Sequence, residues 1–289
     1  MKQISIATLL TCHNRREDTI TCLELLFNQE LDETCHLMAY VVDAGSTDGT
    51  VEAIKKKFPK VKLFCGNDSL YWCGGMRYAW SMAMKKDYDF YLWLNDDTFL
   101  FSGAIQRLLK TVHETREKDG RDGIISGSFR DPDTGQYTYG GKFLTKHRQL
   151  LRFYDVIPSE EIQRCDTFNG NCVLVPRKVF QSVGNISPDF TQVIGDIDYG
   201  LRAKSKGMNS WIVPGYVGTC VDDSKLSWGN AAICLKERLH ILHSPKGLPP
   251  REWMIFTRRY MGIWWPLYML TLYLRVFSPR LFEIWESKK

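Results

Sequence analysis

LMAYVVDAGSTDGT (37–50) runs from apolar and β-branched residues into an acid, then small residues, then the beginning of a helix. The apolar part, 37–45, predicts a strand, and the stretch from Thr47 to Phe58 predicts a helix. Ser46 and Thr47 are its natural caps, with Asp48 near its positive end. The same pattern repeats on both sides. ISIATLL (4–10), VKLFCGN (61–67), DFYLWLND (89–96) and GIISGSF (123–129) read as strands. TITCLELLFNQ (19–29), GGMRYAWSMAMKK (74–86) and SGAIQRLLKTVHETREK (102–118) read as helices between them. Strands buried on both faces and alternating with helices predict an α/β fold with a mostly parallel central sheet and helices on both faces.

In such sheets ligands bind beyond the carboxyl ends of the strands. Three predicted strand ends carry polar or acidic clusters: HNRRED (13–18), DAGSTDGT (43–50) and NDDT (95–98). Asp43 suits either an Asx turn with a helix cap or a carboxylate that holds a polar ligand such as a nucleobase edge. Asp96 and Asp97, adjacent after an apolar strand, suit either a polar turn or a hard cation shared with substrate phosphates.

Further on, DPDTGQYTYGGKFL (131–144) reads as a turn and hairpin, and FNGNCVLVPRKVF (168–180) as a strand running into a helix. IGDIDYGLRAKSKG (194–207) reads as a helix opening with Asp196 and Asp198, and NSWIVPGYVGTC (209–220) as another strand. Carboxylates at a helix start complement its dipole, and one beside an acceptor hydroxyl also suits a general base.

The chain has 289 residues, 44% hydrophobic and 25% charged, with a net charge of +5. Residues 235–289 hold ten Lys/Arg against four Asp/Glu, so the basic surplus lies in the tail. No basic recognition motif is present, which argues against nucleic-acid binding. Nine scattered cysteines without a CxxC pair point to reduced core thiols and a cytoplasmic protein. The N-terminal MKQISIATLLTCHN lacks a small-residue cleavage site and reads as a first strand.

The order and spacing of TCHNR (11–15), VVDAGSTDGT (41–50), LNDDT (94–98), FNGNCVLVPRKVF and GDIDYGLRAKSKG (195–207) resemble family 2 glycosyltransferases of the GT-A fold over roughly residues 4–225. The resemblance is strongest to the bacterial branch that builds surface polysaccharides, with rhamnosyl- and galactofuranosyltransferase-like enzymes. It implies a catalytic domain over 1–234, with a nucleotide-binding half to about 100 and an acceptor-side half from 101. Residues 235–289 follow as a basic, aromatic helical tail.

The resemblance also implies roles. Thr11, His13, Asn14 and Arg15 line the nucleotide, and Asp43 holds the base of a UDP- or dTDP-sugar. Gly74, Gly75 and Arg77 border the donor, and Gly170 packs against its sugar. Asn95-Asp96-Asp97 stands as the DxD-type motif, with Asp97 holding Mg²⁺ or Mn²⁺. Asp196 is the catalytic base and Asp198 its supporting carboxylate. Asn95 replaces the first acid of that motif. The histidine that many relatives carry after the last core strand is missing from VGTCVDDS (217–224), leaving Cys220 or Asp222 as substitutes. Transfer then proceeds with inversion to a saccharide or lipid-linked saccharide.

A nucleotidyltransferase would need a Gly- and Arg-rich loop after the first strand, and a dehydrogenase GxGxxG; TCHNRRED is neither. A catalytically degenerate scaffold or sugar-binding module is the remaining alternative. In the tail, ten of the 39 residues from 251 to 289 are aromatic, interleaved with arginines. Its longest uncharged run, Tyr260–Leu274, is fifteen residues and holds Pro266, too short to span a bilayer. The composition suits a membrane-interface segment at the inner face of the cell membrane, or packing on the core or a homodimer partner.

Overall fold

A computed structural model describes residues 3–147, 150–222 and 227–280 of the chain. The first half alternates as its periodicity predicts: β1 (Ile4–Cys12), α1 (Arg16–Phe27), β2 (Cys35–Asp43), α2 (Thr50–Lys57), β3 (Lys62–Cys65), α3 (Tyr71–Ala83) and β4 (Phe90–Leu94). Then come β5 (Phe99–Leu100), α4 (Ala104–Asp119), β6 (Ile124–Arg130), β7 (Gly141–His147), β8 (Leu150–Val156), β9 (Gln163–Cys165), β10 (Thr167–Phe168), β11 (Cys172–Pro176) and α5 (Arg177–Val183). α6 (Gly195–Ser205), β12 (Ser210–Thr219), α7 (Leu235–His243), α8 (Pro250–Met261) and α9 (Trp265–Phe277) complete the described elements.

The central sheet runs β3-β2-β1-β4-β11-β6-β12-β5, with β9 also on β12, and β10-β7-β8 form a small second sheet. β3, β2, β1 and β4 are mutually parallel, whereas β11 lies antiparallel to both β4 and β6. That reversal sets Cys172 of β11 opposite Leu94 of β4, so FNGN lies beside the acidic turn that follows β4.

Alternation along the strands divides the core in two. Ile6, Leu10, Leu92 and Leu94 pack with Leu23 and Leu26 of α1, Ile54 of α2 and Ile105 and Leu108 of α4 on one face. Ala7, Leu9, Tyr91 and Trp93 pack with Met76 and Trp80 of α3, Val179 of α5, Tyr199 of α6 and Phe256 of α8 on the other. The side-chain period of a strand is two, so each buried strand feeds both layers.

α2 starts later than Ser46 and Thr47 suggest. Gly49 takes the cap position at φ +84°, and the Asp48 carboxylate accepts from Thr50 N at 3.1 Å. Two tight loop bonds explain the shift: Ser46 Oγ and Thr47 N are both engaged by Asn14.

The nine cysteines form no disulfide among the described residues. The tail folds back onto the body, with Phe256 of α8 fully buried. α9 packs Leu272 and Val276 against Trp228 and Leu242. Its opposite face exposes Leu267, Leu270, Leu274 and Phe277. No helix among the described residues is long and apolar enough to cross a membrane. Residues 281–289 of the predicted tail lie outside the described residues, as do 223 and 224 of VGTCVDDS.

Candidate functional site

Parallel pairing brings the ends of β1, β2 and β4 to one edge, with Cys12 opposite Asp43 and Leu9 opposite Trp93. Asp43 is buried, and its Oδ2 accepts from Gly45 N at 3.1 Å and Ser46 N at 3.0 Å. This is an Asx turn, so one carboxylate oxygen shapes the loop while the other lies 3.8 Å from the Cys12 thiol. Asn14, at φ +50°, accepts from Thr47 N at 2.8 Å, and its own N–H donates to Ser46 Oγ at 2.9 Å. His13 Nδ1 lies 2.8 Å from Ala44 O, a carbonyl that can only accept, so the proton sits on Nδ1. The loops after β1 and β2 are thus laced into one unit. α3 closes over it. A Cβ on Gly75 would stand 2.0 Å from Thr11 Oγ1, so only glycine lets the helix approach the end of β1.

The turn after β4 gathers charge. Arg15 Nη1 bonds Asp97 Oδ2 and lies 3.7 Å from Asp96 Oδ1. Asp96 is buried, and Thr19 Oγ1 donates to it at 3.5 Å. Burial, followed by the charge of Asp97, pushes the Asp96 carboxyl up to about 7, with Arg15 opposing. Asp97 is more open, its side chain 28% exposed, and its Oδ1 is 3.9 Å from Cys220 Sγ. Asp222 accepts from Tyr139 Oη at 3.4 Å. Asn95 Oδ1 accepts from the Trp72 indole N–H at 2.7 Å.

No group of three or more His, Cys, Asp or Glu that could hold a metal occurs among the described residues. A dedicated protein cage is therefore not what these residues build. One solvent-reachable carboxylate beside a second acid fits a hard cation that arrives with a diphosphate and completes its shell from phosphate oxygens.

Asp196 opens α6. Its Oδ2 accepts from Gly170 N at 2.8 Å and its Oδ1 from Ile197 N at 2.8 Å. Burial raises its pKa, and these two backbone N–H groups pull it back down. Gly170 lies close against Trp72: an added Cβ would stand 2.4 Å from the indole. Ile194, just before the helix, sits at φ +57°, a backbone state an isoleucine holds only where its surroundings enforce it.

Asp198 turns away from Asp196. It is completely buried, and takes Arg202 Nε at 2.8 Å, Tyr260 Oη at 2.7 Å and the Arg259 guanidinium. Arg77 is likewise engaged, with Nη1 donating to Ser187 O and Phe190 O at 2.9 Å each. In this arrangement it braces the 187–190 loop.

The structure thus gathers Thr11, His13, Asn14, Arg15, Asp43, Asn95, Asp96 and Asp97 at one sheet edge, and joins Gly170 to Asp196. Sequence reasoning missed Trp72, which links Asn95 to Gly170, although it stands only two residues before Gly74. It also missed Asn171, whose side-chain amide donates to Thr98 Oγ1 and Cys220 Sγ at 3.4 Å. Neither carries a local signal, because each acts through a partner far along the chain.

Among solved structures, the chain is similar to the mannosyltransferase PcManGT from Pyrobaculum calidifontis in complex with GDP-Man and Mn²⁺. The TM-score is 0.54 at 15% identity, over 93% of this chain and 73% of that one. It is also similar to GalNAc-T7 with UDP, GalNAc and Mn²⁺, with TM-score 0.55 at 13% identity, over 73% of this chain and 42% of that one. These likenesses give the fold, which is GT-A. Comparison with curated proteins gives no match. The family model for glycosyl transferase family 2 matches residues 8–183, more than half of the chain, across both the laced loops and the acidic turn; the chain belongs to glycosyl transferase family 2.

Proposed function

We propose that this protein moves a sugar from a nucleoside-diphosphate donor to an acceptor hydroxyl, with inversion at the anomeric carbon. The observation that carries the reading is the unbroken contact from Asn95 through Trp72 and Gly170 to Asp196. It sets a diphosphate-facing acid turn at one end and a held carboxylate at the other.

Asp97 would hold Mg²⁺ or Mn²⁺ together with the donor phosphates, with Cys220, whose Sγ lies 3.9 Å from Asp97 Oδ1, and Asp222 as the further candidates. When bound, the ion supplies Lewis-acid stabilisation of the departing diphosphate. Arg15 offsets the charge of Asp96 and Asp97. Thr11, His13, Asn14 and Asp43 flank the nucleotide, with Gly74, Gly75 and Arg77 along the donor side.

Asp196 takes the acceptor proton as the hydroxyl attacks. Burial suits it to this role, because a raised pKa makes a stronger base, and two N–H donors keep its orientation. Asp198 supports it by anchoring the first turn of α6. Residues 1–234 form the catalytic unit, and the described part of the tail, 235–280, folds back upon it.

The finer assignment extends the resemblance. The donor is a UDP- or dTDP-sugar, with rhamnosyl or galactofuranosyl transfer in bacterial surface polysaccharide synthesis. The apolar face of α9 and the exposed Arg251, Arg258 and Arg280 support contact with the inner face of the cell membrane, which suits a lipid-linked acceptor. A homodimer through that face is the competing occupant.

The test is a thermal-shift screen of nucleoside diphosphates and nucleotide sugars with and without Mn²⁺, followed by transfer assays. Mn²⁺-dependent stabilisation by one donor, with turnover, is expected. Nucleotide binding indifferent to Mn²⁺ and without turnover would instead identify a degenerate binding module.

A further inference from the structure

We infer that Arg259 of α8 is a positioning residue for Asp196, so that the C-terminal helix belongs to the catalytic apparatus. This rests on the reading of Asp196 as the base. Both residues lie beyond the stretch 8–183 that matches the family model.

The segment 189–198 is held from outside at both ends. Arg259 Nη2 pairs with Asp189 Oδ2 at 2.7 Å, and its Nη1 bonds Asp198 Oδ1. One planar guanidinium therefore clamps two carboxylates that flank Ile194, Gly195 and Asp196. A lysine, with its single ammonium, could not hold both in the same fixed geometry. Tyr260 Oη adds bonds to Asp198 Oδ1 at 2.7 Å and to Asp198 O at 3.1 Å. Near the other end, the Glu252 carboxylate accepts from Thr191 N at 3.2 Å and also bonds Thr191 Oγ1. All three α8 residues thus grip the one segment.

What lies between the grips needs them. Ile194 keeps its left-handed φ of +57°, and Gly195 lies so close to Cys73 that an added Cβ would stand 2.4 Å from its Sγ. α3 contacts the segment too, with Cys73 N donating to Thr191 O at 2.9 Å and Trp72 N to Gln192 Oε1 at 2.8 Å. α8 thus presses the strained turn onto α3, and Asp196 is delivered from that turn to the N–H of Gly170. Arg259 does not touch the acidic turn that would hold donor phosphates. Its loss should therefore misplace the base and leave donor binding intact.

The experiment compares Arg259→Gln, Arg259→Lys and Tyr260→Phe with Asp196→Asn in the full chain, measuring kcat, donor KM and the Kd of Mn²⁺–nucleoside diphosphate. Arg259→Gln should lower kcat about 10- to 100-fold, the effect of displacing a reacting group by roughly 1 Å, with Kd changed less than about twofold. Arg259→Lys should recover part of that loss, and a merely structural role predicts no such split between kcat and Kd. Should Arg259→Gln fail to fold, Tyr260→Phe leaves the ion pairs in place and should still lower kcat by about three- to tenfold at unchanged Kd. A wild-type kcat in the foldable variants, or a Kd that weakens in step with kcat, overturns the inference while Asp196→Asn remains inactive. Normal transfer by Asp196→Asn overturns the base assignment instead, and the inference with it.

Discussion

Replacing Gly170 by alanine tests the link between the two ends of the site with a single carbon atom. The added Cβ would stand 2.4 Å from Trp72 Cζ2 and 2.7 Å from Cη2, where ordinary contact begins at 3.4 Å. About 1 Å must therefore be found by moving the indole or the backbone of Gly170. The indole is not free to move, because its N–H is bonded to Asn95 and its ring packs edge-on against Trp93 with centroids 5.8 Å apart. Backbone movement instead draws Gly170 N away from Asp196 Oδ2.

Overpacking of this kind costs about 1–3 kcal/mol. Against that, Gly170 has no positive φ, so alanine by itself would stabilise by about 0.4–1 kcal/mol through the unfolded chain. The difference leaves a net loss of roughly 0–2.6 kcal/mol, read as a fall in Tm of up to about 5 °C for a protein of this size. Activity should suffer more than stability, with kcat down about 100-fold, because either movement displaces Asn95 or Asp196. Differential scanning fluorimetry and steady-state transfer assays read both quantities. A raised Tm with unchanged kcat would refute the reasoning, since it would mean the indole yields freely and the link carries nothing.

Asp97→Asn should weaken Mn²⁺-dependent nucleotide binding by about 10-fold or more while changing Tm without ligand by little, checked by calorimetric titration with and without chelator. Asp196→Asn should keep donor binding and reduce transfer by about 100-fold or more, as loss of a general base does. The acidic limb of kcat/KM should lie above the range of an exposed aspartate, because the base acts unprotonated and burial holds its proton to higher pH. The same raised pKa means that stability falls as pH rises from the ordinary aspartate range through the raised value and levels off above it, so in chemical denaturation Asp196→Asn should show a smaller fall across that window. Leu270→Glu combined with Leu274→Glu should weaken binding to anionic vesicles by about 10-fold or more with little change in Tm, since both side chains are exposed on α9. Equal vesicle binding by the variant would remove the membrane reading of that face.

Local pattern made much of this protein legible. Apolar runs of strand length followed by helical periodicity sufficed for β1 to β4 and the helices between them, because burial of alternate faces is written into neighbouring residues. The positions of Asp43, Asp96 and Asp97 at strand ends followed directly, and the reading of IGDIDYGLRAKSKG (194–207) as a helix placed Asp196 at its start. Helix starts were read less well. Ser46 and Thr47 have the chemistry of caps, but Asn14 from a different loop claims both, and α2 begins at Thr50.

Tertiary structure alone decided what these acids do to one another. The antiparallel insertion of β11 beside β4 sets Gly170 next to the acidic turn, and strand direction depends on connections that no local window contains. Asp196 and Asp198 look equivalent in GDID, yet one is held by the backbone of Gly170 and the other is sealed between Arg202, Arg259 and Tyr260. Arg15 reaches Asp97 across the edge of the sheet, and α8 reaches back to residues 189–198 from the far end of the chain. The sequence by itself determined which carboxylates stand at the sheet edge and at the start of α6. Their pairing and burial, and the raised pKa of Asp96 and of Asp196, arise from contacts between distant segments, because charge interactions depend on distance in space and on exclusion of water rather than on order along the chain.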